Sequence, residues 1–103
     1  MQRKLDTCMS LPPPPVPKFE LGDCIITAHT LDVLTYEEIV QALQRHQGGD
    51  WGEVDEFERL SNEVALKFGL TLVSIYPSAA GPKCYVTTEC NRCLTTVKVP
   101  EEY

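Results

Sequence analysis

Cys84, Cys90 and Cys93 are the residues whose type and spacing first suggest chemistry. Cys90 and Cys93 form a Cys-x-x-Cys pair, which at a hairpin tip can grip one ion, and Zn²⁺ takes four ligands near tetrahedral geometry. A fourth ligand would have to come from Cys8, Cys24, His29 or His46, none at a telling distance in the chain. No second Cys-x-x-Cys exists and no glycine opens the turn. The plain reading is therefore no bound metal, with Cys84 in the core and the pair at a turn. A zinc-stabilised module on Cys84, Cys90 and Cys93 is the alternative. A redox dithiol is disfavoured, because only Arg92 stands near to stabilise a thiolate and no helix N-terminus faces the pair. The cysteine count of 5 is odd, and the first residues lack an apolar signal core. Reduced thiols in the cytosol follow from that.

Other chemistries find less support. The chain has no phosphate-binding glycine loop, no dinucleotide fingerprint and no His-Glu-x-x-His. His29 reads as following a strand, and His46 as sitting at a helix end, where a cation suits the dipole. An enzyme would have to gather the scattered Asp50, Glu89, Arg92 and Tyr103. The expectation is a non-enzyme with no cofactor.

Charge says more. Asp+Glu is 15 against Lys+Arg 9, a net charge of −6, which argues against neutralising nucleic-acid phosphates. Eight acids, Glu37, Glu38, Asp50, Glu53, Asp55, Glu56, Glu58 and Glu63, face only Arg45 and Arg59 in the same stretch. That surplus equals the net charge of the whole chain. A solvated outer face explains it plainly; functionally, it would be a contact surface for a basic protein partner, or an imitation of nucleic-acid phosphates that blocks a nucleic-acid-binding protein. The candidate partner-binding residues are Asp50, Trp51, Glu53, Asp55, Glu56, Glu58, Glu89 and Arg92. Trp51 is either a core plug or an interface anchor, and the core suits it better. Glu89 and Arg92 flank a hairpin tip, where they pair with each other or face a partner. No apolar run approaches the roughly 18 residues of a membrane span.

These residues need a frame. With 103 residues and 43% apolar content, the chain is long enough for one domain with a core. Residues 1–18 read as a disordered, proline-rich leader and 19–103 as a single domain. Residues 19–28 read as a strand. Thr35 and Glu38 make a capping box for a helix that carries Ile39, Val40 and Leu43 and stops at Gly48-Gly49, with Leu34 as a staple. A second helix is expected from Asp50, with Glu53 three residues on. It runs to Gly69 with Val54, Phe57, Leu60, Val64, Ala65 and Phe68 as its core stripe. Residues 70–76 are apolar on both faces, which suits a central strand. In the last hairpin, centring the turn on Asn91-Arg92 pairs Cys84 with Val99 and Val86 with Val97 on one face. Tyr85–Lys98 and Thr87–Thr96 then fall on the other. Asn-Arg is a poor two-residue turn, so a longer loop is also open. The expected class is α+β: an antiparallel sheet of three to four strands with two helices on one face.

Several of these residues together resemble a known group. Gly49-Asp50-Trp51-Gly52, Asn62, Ser74, Tyr76, Thr88-Glu89, Arg92, Thr95-Thr96 and Pro100-Glu101-Glu102-Tyr103 recur in this order in a family of small bacterial proteins. Its members are carried by phages, plasmids and other mobile elements. The likeness is strongest over 49–103, thinner over 22–46, and excludes the leader. Asn91 stands where the family has aspartate, and Cys90 and Cys93 where it has small non-ligand residues, so the resemblance implies no zinc site. It implies a mobile-element accessory protein that acts on host defence by occluding a protein, and it implies no reaction.

Overall fold

The computed structural model describes residues 17–99; Cys8, Pro12 to Pro15 and the terminal Pro100 to Tyr103 lie outside the described residues. The elements are β1 (Asp23–Ile26), α1 (Ala28–Val33), α2 (Tyr36–Gln47), α3 (Glu56–Phe68), β2 (Leu72–Tyr76), β3 (Cys84–Thr88) and β4 (Leu94–Lys98). The strands form one sheet in the order β1-β4-β3-β2. The fold is α+β, as expected, but the sheet is mixed: β1 runs parallel to β4. A parallel neighbour needs a long crossover, and the helices between β1 and β4 supply it.

The last hairpin has the register that side-chain parity requires, with Tyr85 opposite Lys98, Val86 opposite Val97 and Thr87 opposite Thr96. Its tip is the longer loop. The Arg92 N–H donates to the Glu89 carbonyl at 2.9 Å, and Arg92 takes the left-handed φ of 59° that closes the turn.

Helix α2 starts as expected. The Thr35 hydroxyl accepts from the Glu38 N–H at 3.1 Å, and Glu38 answers on the Thr35 N–H at 2.9 Å. Helix α1 was not legible in the sequence. It takes residues assigned to the end of the first strand and beyond, capped by the Thr27 side chain on Thr30.

The larger correction concerns α3. Asp50 does not cap it; Asp55 does, with Glu58 completing a second capping box. Gly52 explains the five-residue difference. Its φ of +76° is barred to a right-handed helix, so the chain through residue 52 stays extended and bridges to Ile75. The end at Gly69 is as expected, in the left-handed conformation (φ 73°, ψ 36°).

That extended segment also answers for β2, which lies at the sheet edge and not in its centre. The Ile75 N–H donates to the Trp51 carbonyl at 3.1 Å, and the Glu53 N–H donates to the Ile75 carbonyl at 2.7 Å. Two residues back, the Asn62 carboxamide donates to the Val73 carbonyl at 2.7 Å and accepts from the Val73 N–H at 3.1 Å. Asn62 stands in for a strand, so these outward backbone groups of β2 are paired.

The core has two parts on the helix side of the sheet. One packs Leu34, Ile39 and Ala42 against Tyr76, Cys84, Val86, Val97 and Val99. The other packs Trp51, Ala65 and Leu72, with Phe19, Val54 and Leu66 around them. Along β2, Leu72 belongs to one cluster and Tyr76 to the other, with Ser74 between them. The edge of the expected leader is tied in: the Lys18 N–H donates to the Gln47 carbonyl at 2.8 Å.

Candidate functional site

Between the two clusters runs a row of polar side chains centred on His46. Its Nδ1 lies 2.5 Å from the Ser74 hydroxyl and its Nε2 2.9 Å from that of Thr88. Thr88 lies 2.8 Å from the Thr95 hydroxyl, which donates to the Leu21 carbonyl at 2.7 Å. Each hydroxyl has one proton, so the direction of the row follows from its end. Thr95 spends its proton on Leu21, and Thr88 spends its own on Thr95. His46 must then donate from Nε2, and Ser74 donates to Nδ1. A neutral imidazole satisfies every position. Phe19 meets the ring edge-on at 5.2 Å, and Trp51 at 5.8 Å.

A serine beside a histidine invites a nucleophilic reading. Ser74 and His46 are both 0% exposed, so no substrate reaches them in this fold. The row is a buried fastener between α2 and three strands. Of the two roles open to His46 at a helix end, structural or solvated, the buried ring has the structural one.

Burial, with the nearby Arg92 charge, pushes the His46 pKa down from 6.5 to about 4. Above pH 6.5 the ring is neutral in both folded and unfolded chains. Between 6.5 and about 4 the unfolded chain takes a proton that the folded one refuses, so stability falls with pH across that window. The expected loss by pH 4 is about 3 kcal/mol. Urea midpoints measured from pH 7 to 4 check it, and a midpoint flat down to pH 5 would contradict it. The Glu38 and Asp50 carboxyls, held below 4.5 and 3.8 by their hydrogen bonds, add their losses only at lower pH.

Most of the acids singled out by sequence have work inside the molecule. Glu38 also accepts from the Ala79 N–H at 2.8 Å. Asp50 pairs with Arg45 at 2.8 Å, Glu53 with Lys83, and Glu56 with Arg59 at 2.6 Å. Asp55 and Glu58 make the capping box, and Glu63 accepts from the Trp51 indole at 2.8 Å. Exposed ion pairs of this kind stabilise little, because solvent screens them.

Two candidates are engaged inside the molecule. Trp51 is 4% exposed and plugs the second core cluster. Arg92 does not pair with the Glu89 carboxylate. Its guanidinium donates to the carbonyls of Leu70 at 2.5 Å, Ala65 at 3.0 Å and Glu89 at 3.1 Å, which ties the hairpin tip to the end of α3. Glu89 itself stays exposed.

The cysteines do not converge. Cys84 is buried at the start of β3, whereas Cys90 and Cys93 are exposed at the tip beyond its end. Five strand residues at about 3.4 Å each separate the two positions. Among the described residues, no group of three His, Cys, Asp or Glu side chains is placed to hold a metal ion. Burial raises the Cys84 thiol to about 11, away from thiolate chemistry. Cys84 also lines a cleft with Glu38, Arg45 and Tyr76, whose polar groups are spent on Ala79, Asp50 and the Asp50 carbonyl.

The feature that sequence reasoning placed wrongly is the apolar stripe of α3. Phe57 is 79% exposed, Phe68 68%, Val64 51% and Leu60 50%. Val54 and Ala65 of the expected stripe do pack inward, and the side facing β2 carries Asn62 and Ala65. At about 100° per residue, these two lie roughly a third of a turn from the exposed four, so both sides cannot face inward. The Asn62 bonds to Val73 and the Glu63 bond to Trp51 set the rotation. Phe57, Leu60, Ser61 and Val64 surround a shallow depression on the outer face. An asparagine at helical spacing with Ala65 was the signal for it.

Compared with protein-family models, with curated proteins and with solved structures, the chain gave no match. Among the described residues, no helix is long and apolar enough to cross a membrane.

Proposed function

We propose that this chain is a protein-binding module whose contact surface is the outer face of α3. The observation behind this is the exposure of Phe57, Leu60, Val64 and Phe68 along one helix face. Single exposed apolar residues are ordinary, whereas four in a continuous line mark an interaction surface. The helix and its cap carry Asp55, Glu56, Glu58 and Glu63 against Arg59 and Lys67, a balance that favours a basic partner over an acidic one. The resemblance to mobile-element proteins gives the binding a setting: an accessory protein that occludes a host protein without catalysing a reaction.

The first test is capture from host lysate by the wild-type chain and by Leu60→Ser with Phe68→Ser. Both positions are at least half exposed, so the fold should hold within about 0.5 kcal/mol, as circular dichroism and melting will report. The variant is expected to lose the captured protein. Equal capture by a folded variant would rule the face out. Charge reversal at Asp55 or Glu58 is a poorer test, because it also removes the capping box.

A further inference from the structure

We infer that the occupant of the α3 face is an amphipathic helix with lysine or arginine along its margins. This rests on reading that face as the contact surface, and it adds the shape and charge of what binds.

The shape comes from the depression. Phe57, Leu60, Ser61 and Val64 stand at i, i+3, i+4 and i+7. Those are the four positions that frame a hole for a knob from a facing helix. Ser61 is the smallest of the four, beside Phe57, Leu60 and Val64. The apolar line continues to Phe68 over the whole of α3, about 16 Å at 1.5 Å per residue. It is long and one residue-stripe wide, which matches another helix of three to four turns better than a broad flat surface.

Charge selects among helices. Helix α3 and its cap carry four acids, Asp55, Glu56, Glu58 and Glu63, against two bases, Arg59 and Lys67. Arg59 is already engaged by Glu56 at 2.6 Å. A partner with Lys or Arg beside its apolar stripe therefore meets a helix with more acid than base. A second copy would set a net −6 against another −6, and an anionic membrane would be repelled in the same way.

The test uses the full chain and three synthetic helical peptides. One carries leucines at i, i+3, i+7 and i+11 flanked by lysines. The second has the same stripe flanked by glutamates, and the third scrambles the lysine peptide so that the stripe is lost. Affinity is read by fluorescence anisotropy at about 0.05 and 0.5 M salt. The striped lysine peptide should bind at least about tenfold tighter than both others and weaken at high salt. Ser61→Phe, which fills the hole on an exposed position, should cost about tenfold again without moving the melting temperature.

Equal binding of the glutamate peptide, or of the scrambled lysine peptide, overturns the inference and leaves the contact face standing. A dimer by sedimentation that Ser61→Phe dissolves also overturns it, by giving the face to a second copy. A monomer that binds no peptide overturns it as well, and lysate capture through Leu60 and Phe68 then decides the contact face separately.

Discussion

Replacing His46 with alanine is expected to destabilise the domain by about 3–5 kcal/mol, the range for deleting a buried ring. Three losses combine. The cavity opens under Phe19 and Trp51, which pack on the imidazole edge-on at 5.2 and 5.8 Å. The Ser74 hydroxyl loses its acceptor and Thr88 loses its donor, both in positions 0% exposed. Each buried group left unpaired costs about 1–3 kcal/mol on its own. Domains of this size hold only about 5–15 kcal/mol in total, so the variant should lose a large share of its stability and unfold at a much lower urea concentration. Urea unfolding followed by far-ultraviolet circular dichroism measures this. Ser74→Ala is the milder partner, because it removes one donor and leaves the ring in place. A midpoint for His46→Ala close to that of Ser74→Ala would mean the imidazole is not what joins α2 to the strands.

Gly52→Ala should be comparably damaging for a different reason. A methyl group there would lie 2.0 Å from the Ile75 carbonyl oxygen and 2.7 Å from the Tyr76 ring, at a φ of +76°. Neither backbone nor ring can yield that distance locally. Residues 51–53 would have to lift from β2, which frees the Ile75 N–H and carbonyl and the Tyr76 hydroxyl bond to Asp50. We expect a loss of about 3 kcal/mol or more, the scale of a broken buried hydrogen-bond network. Gly69→Ala is the matched control. Its φ of +73° is nearly the same, yet a methyl group there meets nothing within 4 Å. That variant should lose only the left-handed strain, about 1–2 kcal/mol. At roughly 4–8 °C per kcal/mol, the two melting temperatures separate cleanly. Equal melting temperatures would show that the close approach at residue 52 does not bind the segment to β2.

Both predictions concern residues whose importance is hard to read from a sequence alone. From the sequence, His46 stands at a helix end, where a cation suits the dipole. Its partners, Ser74 and Thr88, are 28 and 42 residues away, and only the fold brings them to the ring. Several other polar residues singled out in the sequence turn out to be fasteners of this sort. Asn62 pairs the β2 edge, Tyr76 reaches the Asp50 carbonyl, Thr95 reaches Leu21, and Arg92 holds the end of α3. A pattern made of such residues describes a fold more directly than a reaction.

Local chemistry was enough to determine the capping box at Thr35 and Glu38, the stop of α3 at Gly69 and the register of the β3–β4 hairpin. Each depends on residues within about a dozen positions, where spacing alone brings groups together. The start of α3 was misread because two Asp-x-x-Glu pairs compete, at 50 and 55. Only the docking of Gly52 on Ile75 excludes the first. The direction of β1 beside β4 and the rotation of α3 were decided by tertiary structure for the same reason. Periodicity reveals that a helix has an apolar face but not which face is turned inward. In α3 two sides competed, Phe57, Leu60, Val64 and Phe68 against Asn62 and Ala65. The two hydrogen bonds from Asn62 to the unpaired edge at Val73 turned the smaller, more polar side to the sheet and left the larger apolar one outside.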